Sequence, residues 1–342
     1  MTDVILEAMA LRKEYTASSG LLGRSRESKI AVDGVDLVLR RGETTGLVGE
    51  SGCGKSTLGK CLLQAVRPTS GSVVLHGANG VSELTRLSDR ALKPLRPRMQ
   101  MIFQDPFNSL NPNMTVRDLI GEPLLLMTNQ SAAQREEAVK ELMDAVGLNR
   151  MYMGRYAHAF SGGQRQRICI ARAIATKPDF VVCDEAVSAL DVSVRAQIIN
   201  LLIDLQKSLN MAYLFISHDL SVVRHVSARI AVMYMGRIVE MGATDEVYDF
   251  PAHPYTRLLL DSVPTFDLAR RRRIRMEEKN SAAEAADEPK AAAAGCTFHP
   301  RCKRRGNDPR CQKEAPPLAD LGNGHKSACW LNGKEDEYEP VV

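Results

Sequence analysis

The stretch "TTGLVGESGCGKST" (Thr44–Thr57) constrains this chain more than any other. A short apolar run reads as a buried strand, and it passes directly into two glycines, a lysine and two hydroxyl residues at fixed spacing. The pattern G-x-x-x-x-G-K-[ST] arises by chance in ~1% of chains this long at average residue frequencies, and its place between a strand and a helical pattern lowers that further. Bare backbone N–H groups in such a turn converge on phosphate oxygens. The expected cradle is Gly49, Glu50, Ser51, Gly52, Cys53, Gly54, Lys55, Ser56 and Thr57, with Lys55 reaching the β- and γ-phosphates and the Ser56 hydroxyl ligating Mg²⁺.

The surrounding pattern predicts an α/β core. "FVVCDE" (Phe180–Glu185) reads as a second buried strand ending in two acids, and "MAYLFISHD" as a third. Between them, Val194, Ile198, Leu201, Leu205 and Leu209 recur at helical spacing. Strands alternating with helices imply a largely parallel sheet. The segment from about 105 to 160 opens on turn residues, "DPFNSLNPN", and is rich in helix formers, which predicts a helical subdomain inserted into the core. Asp184 at a strand end can hold Mg²⁺, and Glu185 can polarise an attacking water. His218 stands where an imidazole could contact a γ-phosphate.

"FSGGQRQRICIARA" (Phe160–Ala173) poses a separate problem. A serine and two glycines stand directly before a helical pattern, a second place where backbone N–H groups face an anion.

Composition excludes some classes. No apolar run approaches the ~20 residues that cross a bilayer, and the N-terminus lacks a basic start followed by an apolar segment, so a cytoplasmic protein is expected. The net charge of +4 owes five positive charges to Arg270, Arg271, Arg272, Arg273 and Arg275. The rest is close to neutral, which argues against nucleic acid as a partner. Cys53, Cys61, Cys169 and Cys183 sit in apolar or motif positions and read as small core residues. Cys296, Cys302, Cys311 and Cys329 cluster near the end, where in a cytoplasmic protein metal is expected before disulfide.

The phosphate loop, "FQDP" with Gln104, "FSGGQRQR", "VVCDEAVSALD" and "ISHD", in this order and spacing, resemble the nucleotide-binding subunits of ABC transporters over residues 1–264. The resemblance implies a P-loop NTPase with an antiparallel β subdomain beside the parallel core. It also implies head-to-tail dimers in which Ser161, Gly162, Gly163 and Gln164 face ATP held by a second ATPase subunit. It makes Tyr15 the aromatic that stacks on adenine, Gln104 a sensor of Mg²⁺ and water, and Asp191 a bridge between half-sites. Glu185, His218, Gln104 and Lys55 become the catalytic set.

"AVDGVDL", "MIFQDPFNSLNP", "VMYMGRIVEMG" and "HPYTRLLL" narrow the resemblance to the oligopeptide and dipeptide permease ATPases, whose related members serve nickel, glutathione, opines and oligosaccharides. That branch implies an importer motor, peripheral on the cytoplasmic face of the inner membrane. Its partners would be a second ATPase chain (a heterodimer being favoured), two membrane-spanning permease subunits and, indirectly, an external solute-binding protein. Phe160 replaces a common Leu, and Ala186 replaces the Pro that usually follows the catalytic Glu. Two other classes stay open: a soluble ABC ATPase acting on nucleic acid, and a regulatory module that binds ATP without hydrolysis.

Residues 265–295 are charged and Ala-rich and are expected to be a linker. Residues 296–342 are expected to form a small Cys-rich appendage. Its cysteines lack paired C-x₂-C spacing. Four thiolates on a loop-rich scaffold suit a [4Fe–4S] cluster, which the resemblance supports. Zinc, with His299 or His325 as a substitute ligand, and free thiols are the alternatives.

Overall fold

A computed structural model describes residues 4–16, 28–77, 80–262, 294–306 and 308–332. The Arg270–Arg275 run and almost all of the expected linker lie outside the described residues.

The strands, in chain order, are β1 (Val4–Thr16), β2 (Ser28–Arg40), β3 (Thr44–Val48), β4 (Ser70–Gly77), β5 (Gly80–Glu83), β6 (Met99–Ile102), β7 (Phe180–Asp184), β8 (Ala212–Ile216), β9 (Arg229–Tyr234), β10 (Arg237–Ala243), β11 (Ala319–Gly322) and β12 (His325–Ser327). They form two sheets. One has four strands in the order β2-β1-β4-β5, all pairs antiparallel. The other has eight, β11-β12-β10-β9-β3-β8-β7-β6. Its stretch from β9 to β6 is parallel, while β10, β12 and β11 join antiparallel.

All five residues of β3, β7 and β8 are buried. Parallel strands covered on both faces are read as continuous apolar runs for this reason. Alternate side chains nevertheless serve different cores. Leu47, Val182 and Leu214 pack with Leu6, Leu37 and Leu58 toward the antiparallel sheet. Val48, Val181 and Phe215 pack with Ile120, Ile168 and Tyr255 toward the helices.

The expected helical subdomain comprises helices Val116–Met127 and Ala132–Ala145. Each begins at a reciprocal capping box, Thr115 with Asp118 and Ser131 with Gln134, which satisfies two otherwise orphaned N–H groups. It leads into helix Gly162–Ile174, which returns beneath the sheet and buries Ile168, Ile170 and Ile174. Cys53, Cys61, Cys169 and Cys183 are all buried, as small core residues should be.

The C-terminal segment is less separate than an appendage. Glu240 and Met241 of β10 pair with Ser327 and Lys326 of β12, so the last two strands extend the main sheet. Their hairpin turns on Asn323 and Gly324, both at positive φ (53° and 74°), as a two-residue Asn-Gly turn requires. Phe298 is 2% exposed within the main core, against Tyr234, Tyr255 and His253. Glu240, fully buried, accepts the backbone N–H groups of Ala252 and His253 and lies 2.8 Å from His325 Nε2.

Candidate functional site

Four parallel strands deliver the predicted groups from their carboxyl ends to one place, where open α/β sheets bind ligands. The loop after β3 runs from Gly49 into helix Lys55–Leu62. Gly54 is in the left-handed region (φ 112°), and a Cβ there would stand 2.0 Å from the Ala31 carbonyl oxygen. Only glycine fits, which lets the loop close against the backbone of β2. Lys55 is 5% exposed, and its ammonium donates to the carbonyls of Gly49 (2.6 Å) and Glu50 (2.9 Å).

The Ser56 hydroxyl donates to Asp184 Oδ1 at 2.8 Å. Asp184 is 5% exposed at the end of β7, and burial pushes its carboxyl above the ordinary range against the pull of Ser56. A buried carboxylate and a hydroxyl are hard oxygen donors suited to Mg²⁺, which keeps waters in the remaining positions. A divalent cation there would reverse the cost of burying the charge.

Glu185 follows at φ 47°, a left-handed conformation rare outside glycine. Its amide donates to the Ile216 carbonyl at the end of β8, which holds the strained turn in register. The turn directs the carboxylate between two partners. Gln104 Nε2, just beyond β6, donates to Oε2 at 2.8 Å. His218 Nδ1, just beyond β8, lies 3.2 Å from Oε1. Glu185 is sheltered, with 18% side-chain exposure, whereas His218 remains open at 59%. Ala186 is buried and replaces the expected Pro without removing any of these contacts.

The second cradle lies elsewhere. Ser161 caps helix Gly162–Ile174 through a capping box with Gln164 and is itself exposed. Gly163 is pressed against helix Val192–Leu209, since a Cβ there would stand 2.5 Å from Val194 Cγ1. Asp191, exposed, is the N-cap residue of that helix without a side-chain cap bond. Among the described residues, no hydrogen bond joins Ser161, Gly162, Gly163 or Asp191 to the phosphate loop of the same chain. Tyr15, at the end of β1, is 44% exposed, with Lys13 Nζ 4.9 Å from its ring centre.

Cys296, Cys302, Cys311 and Cys329 line one small cavity with His253, Phe298 and Trp330. Burial raises each thiol's pKa, and each senses the charge of at least one of the others. The donor set suits a thiophilic centre. Among the described residues, however, no group of three or more His, Cys, Asp or Glu side chains is set to hold a metal ion.

Two residues at the loop escaped sequence reasoning. Tyr255 accepts the Glu50 N–H at its hydroxyl (2.8 Å), and Arg301 forms two 2.8 Å hydrogen bonds to the Glu50 carboxylate. Tyr255 lies in a stretch quoted only for its family resemblance, and Arg301 lies in the cysteine-rich tail, read for its thiols. No local period connects positions 205 and 251 residues apart.

Comparisons with known proteins agree with this geometry. A family model described as ABC transporter matches residues 32–188, and one described as the C-terminal region of oligopeptide/dipeptide transporters matches 239–311. The chain is 45% identical over 331 residues to the oligopeptide transport ATP-binding protein AppF of Bacillus subtilis, covering 96% of this chain and 98% of that one. It is 44% identical to the dipeptide transport ATP-binding protein DppF of Escherichia coli, covering 97% and 96%. A dimeric ATP-binding cassette solved in a post-hydrolysis state with ADP and Pi superposes with a TM-score of 0.61 at 26% identity, over 70% of this chain and 99% of that one. The fold is therefore that of an ABC nucleotide-binding cassette, and the chain belongs to the ATP-binding proteins of the oligopeptide/dipeptide ABC transporter family, an ATPase family.

Proposed function

We propose that this chain is the ATP-hydrolysing subunit of an importer for oligopeptides or dipeptides. It works at the cytoplasmic face of the inner membrane with a second ATPase chain, preferably a different one, two permease subunits and an external solute-binding protein. The observation that carries the reading is the joining of Gln104, Glu185 and His218 by side-chain hydrogen bonds beside the Ser56–Asp184 pair. The match of the C-terminal region to oligopeptide/dipeptide transporters supports the solute class. No helix among the described residues is long and apolar enough to cross a membrane.

In this reading Lys55 and the loop amides beyond Glu50, whose own N–H is held by Tyr255, hold the triphosphate, with Lys55 trading its carbonyl partners for phosphate oxygens. Ser56 and Asp184 would hold Mg²⁺ with Gln104 nearby, and the ion would supply neutralising charge at the phosphates. Glu185 orients the attacking water and draws its proton, while His218 contacts the γ-phosphate. Tyr15 stacks on the adenine. Ser161, Gly162, Gly163, Gln164 and Asp191 serve ATP held by the partner, which accounts for the exposure of Ser161 and Asp191. For Cys296, Cys302, Cys311 and Cys329 we propose a structural [4Fe–4S] cluster, with zinc as the alternative. Iron, sulfide and zinc analysis after anaerobic purification separates the two, and a metal-free protein with four titratable thiols rejects both.

The test of the solute is uptake of labelled di- to pentapeptides in cells lacking this chain. Restoration by the wild type but not by Lys55→Ala is expected. Restored uptake of nickel or an opine, with none of peptide, would overturn the peptide reading.

A further inference from the structure

Glu50 is an anion built into an anion-binding loop. Its carboxylate sits one residue past Gly49, in a segment read here as the seat of a strongly negative triphosphate. An unneutralised carboxylate there opposes ligand binding, because like charges at short range are costly where solvent is partly excluded. Lys55 meets Glu50 at the backbone carbonyl (2.9 Å) rather than at the carboxylate.

The neutralising charge comes from the far end of the chain. Arg301 Nη1 and Nη2 donate to Glu50 Oε2 and Oε1, each at 2.8 Å. A paired, planar arrangement of this kind fixes both partners in direction as well as distance. The guanidinium sits beside an edge-to-face aromatic pair, 5.8 Å from the centres of both Tyr234 and Phe298. Phe298 is itself locked in the core, so Arg301 is held by packing as well as by charge. The Glu50 hydrogen bonds also stabilise the charged guanidinium, whose pKa rises. Tyr255 meanwhile holds the Glu50 amide, and Lys55 its carbonyl. Every polar group of Glu50 is thus occupied, its charge by a residue beyond position 300.

We propose that Arg301 is a positioning residue for ATP binding, which cancels the Glu50 charge and fixes the entry to the phosphate loop. The proposal rests on the reading of Gly49–Thr57 as the ATP site. It gives the C-terminal segment a direct part in nucleotide affinity, beyond its place in the sheet. Arg301 acts through Glu50 and touches no reacting atom.

The test uses the full chain with its partner ATPase, and reads the Kd of a fluorescent ATP analogue with Mg²⁺, the KM and kcat for ATP, and the melting temperature. Arg301→Ala is expected to weaken binding and raise KM about tenfold, with a smaller change in kcat. Adding Glu50→Gln to Arg301→Ala should recover affinity to within about threefold of wild type, because the repelling charge is gone. Arg301→Lys should hold the loss to about threefold. If Arg301→Ala does not fold, Arg301→Gln takes its place in the same cycle. A folded Arg301 variant with wild-type Kd, or a double variant as weak as the single, overturns the proposal and leaves a tether that moves only the melting temperature. Failure of the wild type itself to bind the analogue overturns the site reading, and the proposal with it.

Discussion

Gln104 donates a 2.8 Å hydrogen bond to Glu185 across 81 residues of sequence, tying the entrance of the helical subdomain to the strained turn after β7. Through His218, the same carboxylate also meets the end of β8. A carboxylate so placed can orient water only while it stays ionised. Glu185→Gln is therefore expected to lower kcat by at least about 100-fold, the usual scale for losing a general base. Phosphate release at saturating ATP measures it, and a loss below tenfold would contradict the assignment.

Gly54 tests the loop independently. A methyl group there meets the Ala31 carbonyl oxygen at 2.0 Å, in a backbone conformation that side chains rarely adopt. Gly54→Ala should cost about 1–3 kcal/mol of stability as the loop shifts. Equilibrium urea unfolding reports that cost. A titration with the fluorescent ATP analogue should show binding falling at least about tenfold.

Tyr255 is fully buried, and its hydroxyl accepts a loop amide, the N–H of Glu50. Tyr255→Phe keeps the packing against Tyr234 and Phe298 and leaves that amide unpaired. The expected cost is about 1–2 kcal/mol, the scale of one lost hydrogen bond with its donor stranded. Urea unfolding at neutral pH measures it, and a neutral substitution would mean that the amide finds water.

Asp219 gives a dependence on pH. Burial pushes its carboxyl up, but hydrogen bonds from the Ser221 hydroxyl and from the Val222 and Ser221 amides, together with the Arg195 guanidinium at 3.1 Å, outweigh this and hold it below the ordinary range. A depressed carboxyl stabilises the fold above its unfolded pKa, and the contribution is lost as pH falls through the folded value. Asp219→Ala should therefore cost about 1 kcal/mol at pH 7, as for a lost N-cap. The gap to wild type should stay constant from pH 8 to 5 and narrow only in the acid range below about 4. Urea midpoints across that range decide it, and a gap that widened toward acid would contradict the sign.

What could be read in advance was local in sequence or fixed by motif spacing. The buried runs of β3, β7 and β8 and the amphipathic spacing from Val194 to Leu209 announce themselves because parallel strands and packed helices impose their periods directly. The loop Gly49–Thr57 is legible for a similar reason, since left-handed turns exclude most residues. Motif order suggested that Gln104, Glu185 and His218 belong to one site, but their hydrogen bonds depend on strand order in the sheet. The Asn323-Gly324 hairpin carries a readable turn signal, but the tail around it is short of the alternating apolar pattern that marks strands. Its docking on β10 and the reach of Arg301 to Glu50 depend on pairing across the whole chain, which no window of sequence contains. The outward display of Ser161 and Asp191 has a rationale only when a second chain is supplied.

The most direct test of the account is the ATPase rate of the complex reconstituted in liposomes with its permease subunits and partner ATPase. It is measured with empty and with peptide-loaded solute-binding protein, and Glu185→Gln serves as the blank. Stimulation of several-fold by the loaded protein, absent in the blank, is the predicted result. A full ATPase rate in this chain alone, with no association and no response to loaded protein, would contradict it.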